Sequence, residues 1–303
     1  MSASVPVELA TPDLRARLAP AVGASVLSLA LRLGERWVDV WRPSPEPLRS
    51  SSDTASFLLA PYSNRLRDGR FAFRGRGYDL RHPKPHALHG DVRDRVWTVT
   101  HRSDTEARLA LDAGALPDLL FPFPFRAETW LRLEGAALEH GLAVVNSGRE
   151  PMPAGLGFHP YWMRSLADPA EDVEVEARCT GVYPGEPPCP MLPTGPPRPL
   201  PPEQDFSRRR RLDVELDHCF AGWDGAARLH WPGSGVTVAI EASPALRHLV
   251  VYSPRDTPFF AFEPVSNAND GFNLAEQGMT GTGVVVLEPG ERLEGSFTLR
   301  VER

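Results

Sequence analysis

Hydrophobic and polar residues alternate along much of this chain with a period of two. Phe125, Ala127, Thr129, Leu131 and Leu133 are interleaved with Arg126, Glu128, Trp130, Arg132 and Glu134. Such alternation places one set on each face of an extended segment and predicts a half-buried β-strand. Gly135 offers a turn, and Leu138, His140, Leu142 and Val144 continue the pattern on a returning strand. The same reading applies where residues 229–231 and 236–240 flank Pro-Gly-Ser-Gly. It also applies where residues 284–287 and 297–301 flank Glu-Pro-Gly-Glu. Residues 248–252 and 259–263 are short apolar runs suited to strands buried on both faces.

Helix signals are weak, because 32 prolines and 25 glycines interrupt the chain too often for many helices of ordinary length. Many short strands between turn signals indicate an all-β antiparallel sandwich or barrel. At 303 residues the length suggests two domains, but all-β folds often exceed that as one unit. The obvious boundary is residues 184–202, where ten of 19 residues are proline. It reads either as a semi-rigid polyproline linker or as a long surface loop within one domain spanning residues 1–303. Residues 116–125, with prolines between phenylalanines, read as an apolar loop over a core edge.

A net charge of −6 without a long run of one sign gives no support for a nucleic-acid or membrane partner. Cys179, Cys189 and Cys219 show no metal-ligand spacing and leave an odd thiol, so neither a disulfide framework nor a zinc site is expected. No basic-then-apolar leader and no run of about 18 apolar residues is present, so a cytoplasmic protein is expected.

Several stretches are too specialised for ordinary strand or turn sequence. Gly157-Phe158-His159-Pro160-Tyr161-Trp162 sets a histidine among aromatic rings, and imidazole is the side chain best suited to exchange protons near neutrality. The rings of Tyr161 and Trp162 could form an apolar wall for a sugar. Pro61-Tyr62-Ser63-Asn64-Arg65 supplies a guanidinium fork suited to a polyhydroxylated ligand or a carboxylate. Ala87-Leu88-His89-Gly90 places a histidine before a glycine that permits close backbone approach. His82 and His86 are not expected to bind metal, since Pro83 and Pro85 prevent the helix that would align them. Asp217-His218-Cys219-Phe220 follows. Phe262-Glu263-Pro264 leads to Asn267, Asp270 and Asn273. Burial of Glu263 at the end of an apolar run raises its pKa toward that of a general base. No nucleophile elbow, dinucleotide fingerprint or P-loop occurs. A glycosidase using Asp217 and Glu263 stays open on the residues alone.

In this order, these stretches resemble the aldose 1-epimerase (galactose mutarotase) family, in particular its bacterial branch of unassigned sugar specificity. The resemblance spans nearly the whole chain, from Leu18-Ala19-Pro20-Ala21-Val22-Gly23 through Leu192-Pro193-Thr194-Gly195 and Asp205-Phe206 to Asn273. It implies a large antiparallel β-sandwich with an open sugar cleft. It also implies a general base at Glu263 for the C1 hydroxyl and a general acid at His159 for the ring oxygen, acting from opposite sides of the C1–O5 bond. Arg65, His89, Asp217 and Asn64 would bind the sugar, with no cofactor, in a monomer or homodimer. The chain departs from the family pattern at Ala24 and at Asp91, where the family often has glycine. Asp91 would add a carboxylate at the cleft edge. Clustered Arg65, Arg67, Arg70, Arg74 and Arg76 raise a hexose-6-phosphate 1-epimerase as an alternative. A non-catalytic sugar-binding protein of the same fold is the other alternative.

Overall fold

The computed structural model of the chain describes residues 5–302. Among them, two large antiparallel sheets face each other. The first has ten strands, running in space from Val7–Ala10 through Leu14–Ala19, Ser25–Leu33, Ser56–Leu59, Gly157–Met163, Phe259–Val265, His248–Ser253 and Leu216–Ala221 to Gly181–Val182, with Arg36–Asp39 attached to Ser25–Leu33. The second has nine and runs from Thr98–Arg102 through Glu106–Asp112, Phe125–Glu134, Ala137–Asn146, Arg292–Glu302, Val236–Ala242, Ala226–Trp231 and Glu174–Ala177 to Arg210–Arg211.

The period-two segments form the second sheet. Phe125–Glu134 pairs with Ala137–Asn146 from Phe125↔Asn146 to Glu134↔Ala137, and its residues alternate between buried and solvent-facing along its length. Leu131, Leu133, Leu138, Leu142 and Val144 enter the core between the sheets. Each such side chain contributes about 1.5–3 kcal/mol on burial. Ala226–Trp231 and Val236–Ala242 form the hairpin that the Pro-Gly-Ser-Gly turn predicts.

The two segments around Glu-Pro-Gly-Glu do not pair with each other. Val285–Leu287 pairs with Met152–Ala154, whereas Arg292–Glu302 inserts between Ala137–Asn146 and Val236–Ala242. Two long neighbours bury Phe297 and Leu299 on a ladder that a three-residue partner could not supply. Local pattern predicts the strands but not this long-range choice.

The middle of the first sheet is buried on both faces, which is why its strands read as apolar runs. Phe158, Trp162, Phe260, Phe262, Leu249 and Val251 point into the core between the sheets. Phe57, Val250, Val265, Cys219 and Ala221 belong to a smaller cluster on the opposite face. Trp162 is fully buried, edge-on to Trp41 at 5.7 Å. Of the two rings expected to line a sugar wall, Trp162 therefore faces the core, because strand alternation sends neighbouring side chains to opposite faces.

The proline-rich stretch is fastened onto the smaller cluster. Gly185–Glu186 pairs with Cys189–Pro193, Met191 is buried, and Asn269 Nδ2 donates to the Met191 carbonyl at 2.9 Å. Phe121 and Phe123 bury the 116–125 loop against Phe71 and Tyr78.

Candidate active site

Sheet register brings the proposed acid and base together. Gly157↔Val265 and Tyr161↔Ala261 pair across two strands, so His159 stands opposite Glu263. On one side His159 neighbours Phe57; on the other, Glu263 faces Val250, which faces Cys219. Directly opposed residues share a face. One transverse row of side chains thus runs Phe57, His159, Glu263, Val250, Cys219 on the face away from the main core. The adjacent row is Tyr161, Ala261, Tyr252 and Asp217.

His159 Nε2 lies 3.2 Å from Glu263 Oε1. The two residues are 6% and 1% exposed, so the pair forms the floor of the site. The imidazole is clamped: Phe57 stacks on it at 4.4 Å and 23°, Tyr161 lies at 4.6 Å, and the His89 ring meets it edge-on at 5.2 Å. Burial pushes the Glu263 carboxyl well above the ordinary range, with Asp217 adding to the rise and Arg65 opposing it. Burial also pushes His159 down to about 3, with Arg93 adding to the fall. Burial thus drives both groups toward their neutral forms, a carboxylic acid and a neutral imidazole. Among the described residues, Glu263 Oε2, His159 Nδ1 and His89 Nδ1 are buried without a hydrogen-bond partner. Leaving such atoms unpaired costs about 1–3 kcal/mol each, which suits the floor to a ligand rich in hydroxyls.

The rim is built by backbone constraints. Asn64 adopts a left-handed conformation (φ 53°), and its side-chain oxygen accepts from the Arg65 N–H at 2.9 Å and Arg65 Nη1 at 3.1 Å. The Asn64 carbonyl accepts the His89 N–H at 2.8 Å. Gly90 (φ 71°) presses so closely on Ala60 that a Cβ there would sit 1.8 Å from the Ala60 carbonyl oxygen. That approach holds His89 against Phe57, with ring centroids 5.5 Å apart. Asp217 is half-buried, and burial raises its carboxyl pKa while Arg65 opposes the rise.

The structure therefore brings together His159, Glu263, His89, Asn64, Arg65 and Asp217. His159 and Glu263 are in direct contact, side by side on adjacent strands. Asp217 lies two strands from Glu263, and its carboxylate adds to the rise in the Glu263 pKa. Other sequence candidates fasten the site instead of lining it. Asn267 Oδ1 accepts the Ser63 N–H at 3.0 Å, and Asp270 accepts the Arg67 N–H at 2.9 Å and Asn273 Nδ2 at 2.7 Å. Asp91 turns to Arg95 (2.6 Å) and to the Leu120 N–H (2.6 Å), tying down the apolar loop. Ala24 takes φ 51°, the left-handed conformation that explains a glycine preference there.

Most of the arginine cluster is already engaged. Arg67 pairs with Asp270 (3.4 Å), Arg70 with Asp79 (3.0 Å), Arg74 with Glu288 (3.2 Å), and Arg76 covers Tyr78. Two other arginines, not singled out by any motif, stand beside the site: Arg93 over Phe57 (4.6 Å) and Arg42 over Tyr161 (3.8 Å). A further cavity of about 520 Å³ lies on the outer face of the second sheet around Trp130. Its carboxylates Glu128 and Glu294 are committed to Arg292, which leaves no free base there.

The aldose 1-epimerase family model matches residues 7–300. The chain belongs to that family. A relative in Escherichia coli K12, the uncharacterized protein YphB, is 28% identical over 289 residues, covering 86% of this chain and 91% of that one. A solved structure of a candidate aldose 1-epimerase from Escherichia coli K12 superposes with a TM-score of 0.84 at 25% identity, over 98% of this chain and 99% of that chain. A galactose mutarotase-like protein from Clostridium acetobutylicum shares the fold, with a TM-score of 0.83 at 19% identity over 98% and 94% of the two chains. For this aldose epimerase homologue, family membership supports an isomerase acting on a sugar.

Proposed function

We propose that the protein catalyses mutarotation of a free aldose, interconverting its α and β anomers by ring opening and closure. The observation that carries this reading is the buried 3.2 Å contact between His159 Nε2 and Glu263 Oε1. Anomeric O1 and ring oxygen O5 are borne by one carbon. A base and an acid side by side can each reach one of them, so their direct contact fits the chemistry.

In the proposed cycle the Glu263 carboxyl proton moves onto His159, leaving Glu263 as carboxylate. Glu263 removes the O1 proton while His159 protonates O5, the C1–O5 bond breaks, and the carbonyl forms at C1. The pair then holds a carboxylic acid and a neutral imidazole, the forms that burial favours. Rotation about C1–C2 and the reverse transfers close the ring to the other anomer. Proton transfers alone balance this reaction. Arg65, opposing the rise in the Glu263 pKa, supports the carboxylate state; His89, Asn64 and Asp217 are assigned to the sugar hydroxyls. A positioned acid or base each supplies typically about 10²–10⁴ in rate.

Polarimetry of freshly dissolved α-aldoses tests the reading. Acceleration of the approach to anomeric equilibrium is expected for at least one aldose. No acceleration across a panel of pentoses, hexoses and their acidic derivatives would refute it.

A further inference from the structure

We infer that Arg42 and Arg93 form a subsite for an anionic group on the sugar, so that the preferred substrate is an acidic aldose carrying a carboxylate, phosphate or sulfonate. This rests on the mutarotase reading for the placement of the ring.

The two arginines reach the site from separate parts of the chain and converge on one turn, Ser51–Asp53. Arg42 Nη2 donates to the Ser52 and Thr54 carbonyls at 2.8 Å each. Arg93 Nε donates to Ser51 Oγ at 2.9 Å, and its Nη2 donates to Ser52 Oγ. Two like charges thus meet at Ser52. Compensation is thin: the Arg93 Nε to Asp94 contact is 3.6 Å, and among the described residues Arg42 has no carboxylate within ion-pairing distance. Their placement is built, since Gly23 has no Cβ and its backbone presses on that of Arg93, with a virtual Cβ 1.8 Å from the Arg93 carbonyl oxygen.

These bonds leave donors unused. Arg42 Nε is buried without a partner, and among the described residues Nη1 of neither arginine has a hydrogen-bond acceptor. Both cations stand over the rings that clamp His159, Arg93 over Phe57 and Arg42 over Tyr161. Both also act electrostatically on His159 itself. A purely structural arginine tying down a turn would need none of this convergence.

The side on which they stand fits one part of a sugar. Phe57, next to Arg93, neighbours His159 on the edge opposite Glu263. With His159 at O5 and Glu263 at O1, the C5 substituent projects from O5 away from Glu263, toward the arginines. An anion at C6 would complete their hydrogen bonds and neutralise the pair. Arginine forks favour carboxylate and phosphate-like oxygens through charge-assisted bonds.

The experiment measures mutarotation and binding of a hexose, its 6-phosphate, the matching hexuronic acid and the 6-sulfonate. The arms identify which anion the subsite takes. The ratio of kcat/KM for the best acidic sugar over the neutral parent is expected to be about 10-fold or more and to fall as salt is raised. Arg93→Gln or Arg42→Gln should collapse that ratio by about 10- to 100-fold, while Arg93→Lys should retain part of it. Should a glutamine variant not fold, the lysine variant and the salt dependence of the intact protein decide. Turnover of neutral sugars with no acidic preference would overturn this inference and leave the mutarotase reading intact. Tight, Arg93-dependent binding of an acidic sugar without turnover would do the opposite.

Discussion

Replacing Glu263 by Gln changes one oxygen for nitrogen at the point where the proposed chemistry depends on it. The residue is 1% exposed and makes one polar contact, to His159 Nε2 at 3.2 Å. Glutamine has the same shape and can still hydrogen-bond that nitrogen, so packing and the position of His159 are retained. It cannot accept the O1 proton. Loss of one general base lowers kcat by about 10²–10⁴, while the sugar contacts assigned to Arg65, His89 and Asp217 leave KM within a few-fold. Burial already penalises the Glu263 carboxylate, so a neutral amide does not reduce stability, and the unfolding midpoint should be unchanged or slightly raised. Stopped-flow or conventional polarimetry gives the rates, and thermal unfolding gives the stability control. A well-folded Glu263→Gln protein retaining more than a tenth of wild-type kcat would refute the assignment of Glu263 as the base.

Two further outcomes probe the frame around the pair. Gly90→Ala forces a Cβ into the Ala60 carbonyl at a left-handed backbone position, so His89 should shift, raising KM by at least several-fold and lowering the melting temperature; unaltered kinetics would show that His89 is not held by this contact. His140, buried among Phe158 and Phe297, has its pKa pushed down to about 3 by burial alone. Its unfolded value is near 6.5, so the unfolded chain binds the extra proton between these values. The stability present above pH 6.5 is therefore lost as pH falls toward 3, at up to about 1.4 kcal/mol per pH unit for this group. Denaturant titrations at pH 4–7 on wild type and His140→Phe should show a shallower acid slope in the variant, and equal slopes would refute the assignment.

Period-two alternation made strands of the second sheet such as Phe125–Glu134 legible because one face meets water. Residues 248–252 and 259–263 were legible as buried strands for the opposite reason, since neither face does. Pairing of Arg292–Glu302 between two hairpins was not legible, because register over 150 residues of sequence is decided by total buried area and not by the adjacent turn. The site followed the same division. His159, Glu263, His89 and Arg65 were readable because they sit in unusual local sequence. Phe57, Arg42 and Arg93 were not, since a phenylalanine in Ser56–Leu59 and arginines in ordinary loops carry no local mark. Asp91 and Asp270 were readable as unusual, yet they bond to backbone N–H groups and build the scaffold.

That division has a physical basis in how the site is assembled. His159 and Glu263, the proposed acid and base, stand on adjacent strands, where register fixes them to one another whatever the loops do. Among the described residues neither His159 nor Glu263 forms an ion pair with a rim residue; His159 is held by ring contacts with Phe57 and Tyr161 and by Glu263 itself. The donors assigned to the sugar come instead from the turns around Asn64, His89 and Ser52, each fixed by backbone hydrogen bonds or close backbone approach. Changes in those turns can therefore alter which sugar is held without moving the pair that would open its ring. On this arrangement, substitutions at Arg42 or Arg93 should change substrate preference and also move the limb of the pH profile of kcat that His159 sets, since loss of either cation raises the His159 pKa toward its ordinary value. Substitutions at Phe57 should disturb both, because the same ring stacks on the His159 imidazole and lies under the Arg93 guanidinium.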